Sequence, residues 1–232
     1  VRLGDSAFPV SAGSGGQFGA PSATAGVYAA CLALRAEIAR RTGNADPAAL
    51  DFAGGSVRWG ERRMTLAEVA KGAEIVAEDS IAFGEFRDGY AVATFAAHFV
   101  ELGVHAATGE VRLRRMLGCC DAGRILNPLT ARSQVIGGMV MGVGAALMEE
   151  LAVDTGRGFF ANHDLAGYEV PVHADIPAQE VIFLDTEDAV STPLRAKGVG
   201  ELGLCGGAAA VANAAYNATG IRLRDYPLTL DR

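Results

Sequence analysis

A single carboxylate stands in the stretch Ala196-Lys197-Gly198-Val199-Gly200-Glu201-Leu202-Gly203-Leu204-Cys205-Gly206-Gly207, with almost no other polar side chain around it. Glycines at 198, 200, 203 and 206 let the backbone come close to a neighbour. Apolar surroundings would strip water from the acid, and a desolvated carboxylate binds a proton more readily, which is how a general base is made. Glu201 is therefore the first candidate for chemistry. A second reading stays open at this point: a glutamate near the start of the following helix, favoured there by the macrodipole.

Other residues carry weaker signals. Ser11-Ala12-Gly13-Ser14-Gly15-Gly16-Gln17-Phe18-Gly19-Ala20 is a Gly/Ser-rich loop leading into a helix, an arrangement whose free backbone N–H groups suit an anionic cofactor group. It is neither a P-loop nor a GxGxxG fingerprint, and a plain flexible loop fits the same residues. Gln134 is the one long neutral polar side chain in its helix, two turns after the helix start. Its amide can hold a heterocyclic edge or simply be solvated. His98 lies inside a strand, where a satisfied core histidine and a cofactor contact are both open. Cys31, Cys119, Cys120 and Cys205 show no metal-ligand spacing, so no iron–sulfur cluster or structural zinc is expected, and reduced thiols fit a cytoplasmic setting. A cysteine-dependent enzyme using Cys205 or Cys119 would need Lys197 or Arg115 to activate the thiol.

These residues must be positioned by elements that the patterning predicts. Pro21 to Thr24 opens a helix reaching about Arg41, with Val27, Cys31, Leu34 and Ile38 at helical spacing and Gly43 as terminator. Ser56 to Trp59 reads as a strand, and Thr65-Leu66-Ala67-Glu68 as a capping box starting a short helix. Tyr90 to Val104, a Thr108-Gly109 turn and Val111 onward read as a β-hairpin. Asn127 and Pro128 cap a helix running to about Met148, with Gly138, Gly142 and Ala146 forming a small-residue stripe against which another element can pack tightly. Glu180 to Leu184 is a strand, Asp185-Thr186-Glu187-Asp188 a solvated acidic loop, and Ala208 to Asn217 a helix closed by Gly220. Ile221 to Arg224 alternates as an outer strand, and Val1 to Asp5 as a strand that the chain enters midway. The expected fold is α/β (mixed α+β), mixed sheets with packed helices, forming one unit over residues 1–232.

The chain has 232 residues and a net charge of −7. Its length suffices for a sizeable core. No basic, aromatic-interleaved run suggests nucleic acid as a partner. The longest apolar run, Val135 to Met148, is too short for a bilayer and reads as a buried helix.

Three segments together carry a resemblance. Cys120-Asp121-Ala122-Gly123-Arg124-Ile125-Leu126-Asn127-Pro128, then Gln134-Val135-Ile136-Gly137-Gly138-Met139-Val140-Met141-Gly142, then Lys197-Gly198-Val199-Gly200-Glu201 before an Ala-rich helix resemble the C-terminal part of the molybdopterin-binding large subunit of the xanthine dehydrogenase/aldehyde oxidase family. The Gly15-Gly16-Gln17 loop and the hairpin containing Thr108-Gly109-Glu110-Val111 follow the same order. The resemblance implies a fragment or split subunit whose upstream half is absent. It implies hydroxylation of an aldehyde or N-heterocycle with water as the oxygen source, with Glu201 as the base at the molybdenum centre. Molybdenum would be held through the pterin dithiolene and not by protein ligands. Contacts to the cofactor are implied for Gly15, Gly16, Gln17, Gly19, His98, Phe99 and Gln134, with Lys197 and Gly200 in the approach to the base. Gln17-Phe18 replaces the Ser-Arg that often follows the two glycines in relatives with a cytosine dinucleotide, which leaves the plain and dinucleotide forms of molybdopterin both open. The implied partners are the upstream molybdopterin-binding part, a [2Fe-2S] subunit and an FAD subunit. The alternative is a catalytically silent family fragment serving as a scaffold or subunit-interaction module.

Overall fold

The computed structural model describes residues 2, 4–10, 13, 15, 19–44, 46–81 and 89–231. Helix α1 (Gly19–Thr42) is followed by a short 3-10 turn, Pro47–Ala49. Strands β1 (Asp51–Ala53), β2 (Ser56–Trp59) and β3 (Arg62–Thr65) form an antiparallel sheet. Helix α2 (Leu66–Ala70) starts on the expected capping box: the Thr65 hydroxyl accepts from the Glu68 amide while the Glu68 carboxylate accepts from the Thr65 amide. The Thr65 amide, then its hydroxyl, hold the Glu68 carboxyl below the usual carboxylate range. Ile38, Ala39, Leu50, Val57 and Val69 make a small core for these elements. Gly43 ends α1 at φ +72°, as expected of a terminator. The expected apolar face of α1 is only half realised: Ile38 is buried, but Val27 and Cys31 are exposed because no described element lies against that end.

The larger core is built around a second sheet. Strands β4 (Phe95–Val104) and β5 (Val111–Asp121) form the predicted hairpin, antiparallel with a bulge between Glu101 and Leu102. The first strand starts five residues later than its pattern suggested. Helix α3 (Pro128–Leu147) follows β5, and after a small ribbon of β6 (Val153–Asp154) and β7 (Phe159–Phe160), strand β8 (Gln179–Phe183) pairs in parallel with β5. The sheet order is β4-β5-β8. Helix α4 (Gly207–Thr219) packs with α3 on one face of this sheet. Met116, Cys120, Val135, Met139, Val143 and Val211 fill that interface and are fully buried. Burial pushes the Cys120 thiol up to about 11. Among the described residues, no helix is long and apolar enough to cross a membrane.

Helix α3 begins as its sequence predicts: the Asn127 side-chain oxygen accepts from the amides of Leu129 and Thr130, and Pro128 takes the first turn. The small-residue stripe does what was expected of it. A methyl group on Gly138 would stand 2.8 Å from the Leu204 amide nitrogen, and one on Gly142 would stand 2.9 Å from the Cα of Gly207. The neighbouring Gly137 faces open space. Gly137→Ala should therefore raise stability by about 0.5–1 kcal/mol through helix propensity. Gly138→Ala, one position on, should lower it by about 1–3 kcal/mol, because only backbone lies there to move aside. Chemical denaturation of the two variants reads both signs.

One expected strand is absent, and another falls partly outside the described residues. Ile221 to Arg224 joins no sheet: the Arg222 guanidinium stacks over Tyr216 at 3.8 Å and donates to Asn213, while Leu223 turns inward onto the core. The alternation therefore reports a segment lying along α4. In the first five residues, positions 1 and 3 lie outside the described set, and no strand occurs in the rest; Gly4 has φ +78°.

Candidate active site

Between β8 and α4 the chain returns to the end of β5. Ala196 bridges Gly123, the Lys197 amide donates to the Ala122 carbonyl, and the Arg124 and Asp188 amides both donate to the Arg195 carbonyl. Gly123 sits at φ +63°, and a methyl group there would come within 2.6 Å of the Arg195 carbonyl oxygen. Two stretches that stand apart in the sequence, 120–128 and 196–201, are thus one piece of structure.

Side chains reinforce the junction. Lys197 is 10% exposed and lies 3.5 Å from Asp121 and 3.8 Å from Asp188. The Thr186 hydroxyl donates to Asp121, and the amides of Val190 and Ser191 donate to Asp188. The Thr186 bond, aided by the Gly123 amide and Lys197 and opposed by burial, holds the Asp121 carboxyl below its usual range. For Asp188, burial pushes upward but the Ser191 and Val190 amides outweigh it, again leaving the group low. The acidic loop expected to be solvated therefore contributes two anchors, Thr186 and Asp188, because it folds back over a buried cation. An Asp whose folded pKa lies below its unfolded value of about 3.9 stabilises the fold above that pH and loses the contribution as pH falls through the folded value. Denaturation midpoints should accordingly drop on acidification below about pH 4, and Asp121→Asn should lower the neutral-pH midpoint while flattening the acid limb.

From this anchor the chain runs into a series of tight turns, with Leu204 and Cys205 amides donating to the Glu201 carbonyl and the Gly207 amide to Leu204, and so into α4. Leu202 is buried in the core. Gly203 lies directly on α3: a methyl group there would sit 2.1 Å from the Val135 carbonyl oxygen. Gln134, one residue earlier on α3, donates its amide Nε2–H to the Gly200 carbonyl at 2.9 Å. Gln134, Gly200 and Glu201 are thus brought together, with the glutamine bracing the residue before the candidate base.

Glu201 itself is exposed, and among the described residues no hydrogen-bond donor or cation meets its carboxylate. Among the described residues, the dry wall expected from its apolar neighbours is not formed, since Leu202 points into the core and leaves the acid outside. The amides of Gly198, Val199, Gly200 and Glu201 likewise make no internal hydrogen bond among the described residues. N–H groups left unclaimed among the described residues can donate to anionic oxygens, and an uncompensated carboxylate can accept a proton.

The remaining candidates divide. His98 faces the α3–α4 side and packs on the same loop: a methyl group on Gly206 would stand 2.2 Å from its Nδ1. Burial holds the imidazole below its usual range, with the Gly203 and Leu202 carbonyls acting the other way. Phe99, next along the strand, is 58% exposed on the opposite face of the sheet, so the two cannot address one ligand together. Gly16 and Gln17 lie outside the described residues; Gly15 is exposed, and Gly19 opens α1, whose partners are the Pro47–Ala49 turn and α2. Lys197 is held by Asp121 and Asp188, and Arg115 by Glu101, so neither proposed thiol-activating cation is committed to a cysteine. Asp121, Asp188, Thr186 and Gly206 escaped the sequence reading. Asp121 stood within a quoted motif, but nothing local told that a lysine would arrive from position 197.

Residues 1–177 match the family described as the molybdopterin cofactor-binding domain. The chain is 66% identical over all 232 residues to the aldehyde oxidoreductase molybdenum-binding subunit PaoC of Escherichia coli K12, of which it spans 32%. The chain belongs to the molybdenum-binding subunits of the xanthine dehydrogenase/aldehyde oxidoreductase family. Within that family it is also 40% identical to the putative xanthine dehydrogenase molybdenum-binding subunit XdhA of Escherichia coli K12, over 60% of this chain and 18% of that one. The fold agrees: the aldehyde oxidoreductase from Desulfovibrio desulfuricans superposes with a TM-score of 0.67 at 26% identity, covering 91% of this chain and 22% of that one. The mixed α/β architecture expected from the sequence is therefore that of a family cofactor-binding region. The family match ends at residue 177, ahead of Lys197, Gly200 and Glu201, whereas the likeness to PaoC continues through them.

Proposed function

We propose that this chain forms the base-bearing part of a molybdenum hydroxylase that oxidises an aldehyde, with water as the oxygen source and Glu201 as general base. The observation carrying the proposal is the uncompensated Glu201 carboxylate, presented beside available amides on a loop fastened at Gly200 by Gln134 and at Lys197 by two aspartates. Those groups fit a bound molybdenum–molybdopterin: amides 198–201 offer donors to anionic oxygens, and among the described residues no cation or donor competes for the carboxylate. When bound, that group supplies the two-electron redox chemistry. This chain's own task is narrower. Glu201 accepts a proton from the oxygen nucleophile as it attacks the electron-poor carbon, Gln134 keeps the carboxylate's backbone in place, and the Lys197 cluster fixes the loop to the sheet.

The 66% identity to a subunit of an aldehyde oxidoreductase supports an aldehyde over an N-heterocycle as substrate. Partner polypeptides bearing the remaining cofactor contacts, a [2Fe-2S] cluster and FAD belong to the same proposal. An exposed apolar sheet face of Phe95, Phe99 and Ile182 supports it, since such faces mark interfaces. Covering by those parts would also supply the desolvation that Glu201 lacks among the described residues. The test is the assembled complex containing this chain: molybdenum and cytosine nucleotide content measured together with aldehyde-driven dye reduction. Molybdenum with turnover is expected, while a molybdenum-free complex that still oxidises aldehyde would refute the proposal. Cytosine nucleotide, present or absent, assigns the form of the cofactor.

A further inference from the structure

Gly206 is the N-cap of α4 at φ −101° and ψ −5°, a conformation that alanine adopts without strain. What requires glycine there is a side chain from elsewhere, because its missing methyl would overlap the His98 ring, with Nδ1 at 2.2 Å and Cγ and Cε1 both at 3.0 Å. On the other side the same loop rests on the α3 backbone, where Gly203 meets the Val135 carbonyl. The five residues after Glu201 are thus held between a helix backbone and an imidazole. The Leu202 and Gly203 carbonyls lie near the ring, yet its Nε2 is buried and reaches no partner in hydrogen-bond geometry among the described residues. A buried nitrogen left without a partner is a cost that an apolar residue at position 98 would not carry, and it calls for an explanation.

We infer that His98 is a positioning residue for Glu201, a strut on β4 that presses the Leu202–Gly206 loop onto α3 and so sets where the carboxylate stands. This goes beyond contact with a cofactor: the ring acts through the loop, from the side facing away from the sheet's outer surface and Phe99. The inference rests on Glu201 acting as the base.

The test is a double-mutant cycle of His98→Ala and Gly206→Ala in the assembled complex. Benzaldehyde-driven dye reduction, molybdenum per complex, and hydrogen exchange of the peptide spanning 199–207 are measured for each variant. His98→Ala should lower kcat about tenfold to a hundredfold, the scale of a displaced catalytic group, with KM and molybdenum content unchanged and exchange over 199–207 faster. Gly206→Ala should be comparably slow in the parent, yet cause no further loss once the ring is gone, since the methyl then enters vacated space. Losses that multiply independently, or unchanged exchange in His98→Ala, would overturn the inference. So would loss of molybdenum with the loop still protected, which would make His98 a cofactor contact instead. If His98→Ala fails to assemble, His98→Asn, whose shorter side chain also clears position 206, carries the same cycle. Should Glu201→Gln keep its rate, the base assignment falls by itself, while the exchange data still decide whether the imidazole holds the loop.

Discussion

Replacing Glu201 with glutamine should leave molybdenum content and complex assembly unchanged and lower kcat by roughly a hundredfold to ten-thousandfold, the range for loss of a positioned general base. Glutamine keeps the size of the side chain but removes its charge and its capacity to accept a proton. No cation or donor depends on the carboxylate among the described residues, so the fold should not register the change. The Gln134 bond goes to the Gly200 carbonyl and is likewise preserved. Aldehyde-driven dye reduction, normalised to molybdenum, measures the outcome. A variant that keeps more than about a tenth of the parent rate would remove Glu201 from proton transfer, since even a modest base contributes more than that.

The second large effect is structural. Lys197→Met keeps the length of the side chain but leaves Asp121 and Asp188 facing one another around an apolar group where only 10% of the lysine is exposed. Removing one partner of a fully buried pair costs about 3–5 kcal/mol; with both aspartates partly exposed, roughly 2–3 kcal/mol is expected here. Chemical denaturation of the complex reads it. Asp188→Asn in the Lys197→Met background should regain part of the loss, because the amide oxygen can still accept from Val190 and Ser191 while the charge repulsion disappears. An additive double variant would show that the three charges do not act as one unit.

The local elements were legible because each rests on chemistry contained within a few residues. Asn127-Pro128 caps a helix, Thr65 to Glu68 closes a capping box, Gly43 and Gly220 take positive φ, and Gly138 and Gly142 receive another backbone closely. The membership of the family was also legible, in the order of three short segments. Where local pattern failed, it failed on partnership: Ile221 to Arg224 alternates like a strand, yet no described strand pairs with it and Arg222 stacks on Tyr216 instead. The environment of Glu201 failed for a related reason. Apolar neighbours in sequence do not surround a side chain when the backbone turns tightly, and Leu202 goes to the core while the acid faces outward.

The sequence by itself determined which residue types were available for chemistry: one carboxylate among glycines, one amide on α3, and the helices and hairpin that carry them. Only the tertiary structure decided which of them meet. It joined Gln134 to Gly200, drew Asp121 across more than sixty residues to Lys197 and Asp188, placed His98 behind the loop and sent Phe99 to the opposite face. Hydrogen-bond periodicity and capping act over one or two turns of chain and are written locally. The approach of two backbones depends on which surfaces bury the most apolar area together, a property that no single segment contains.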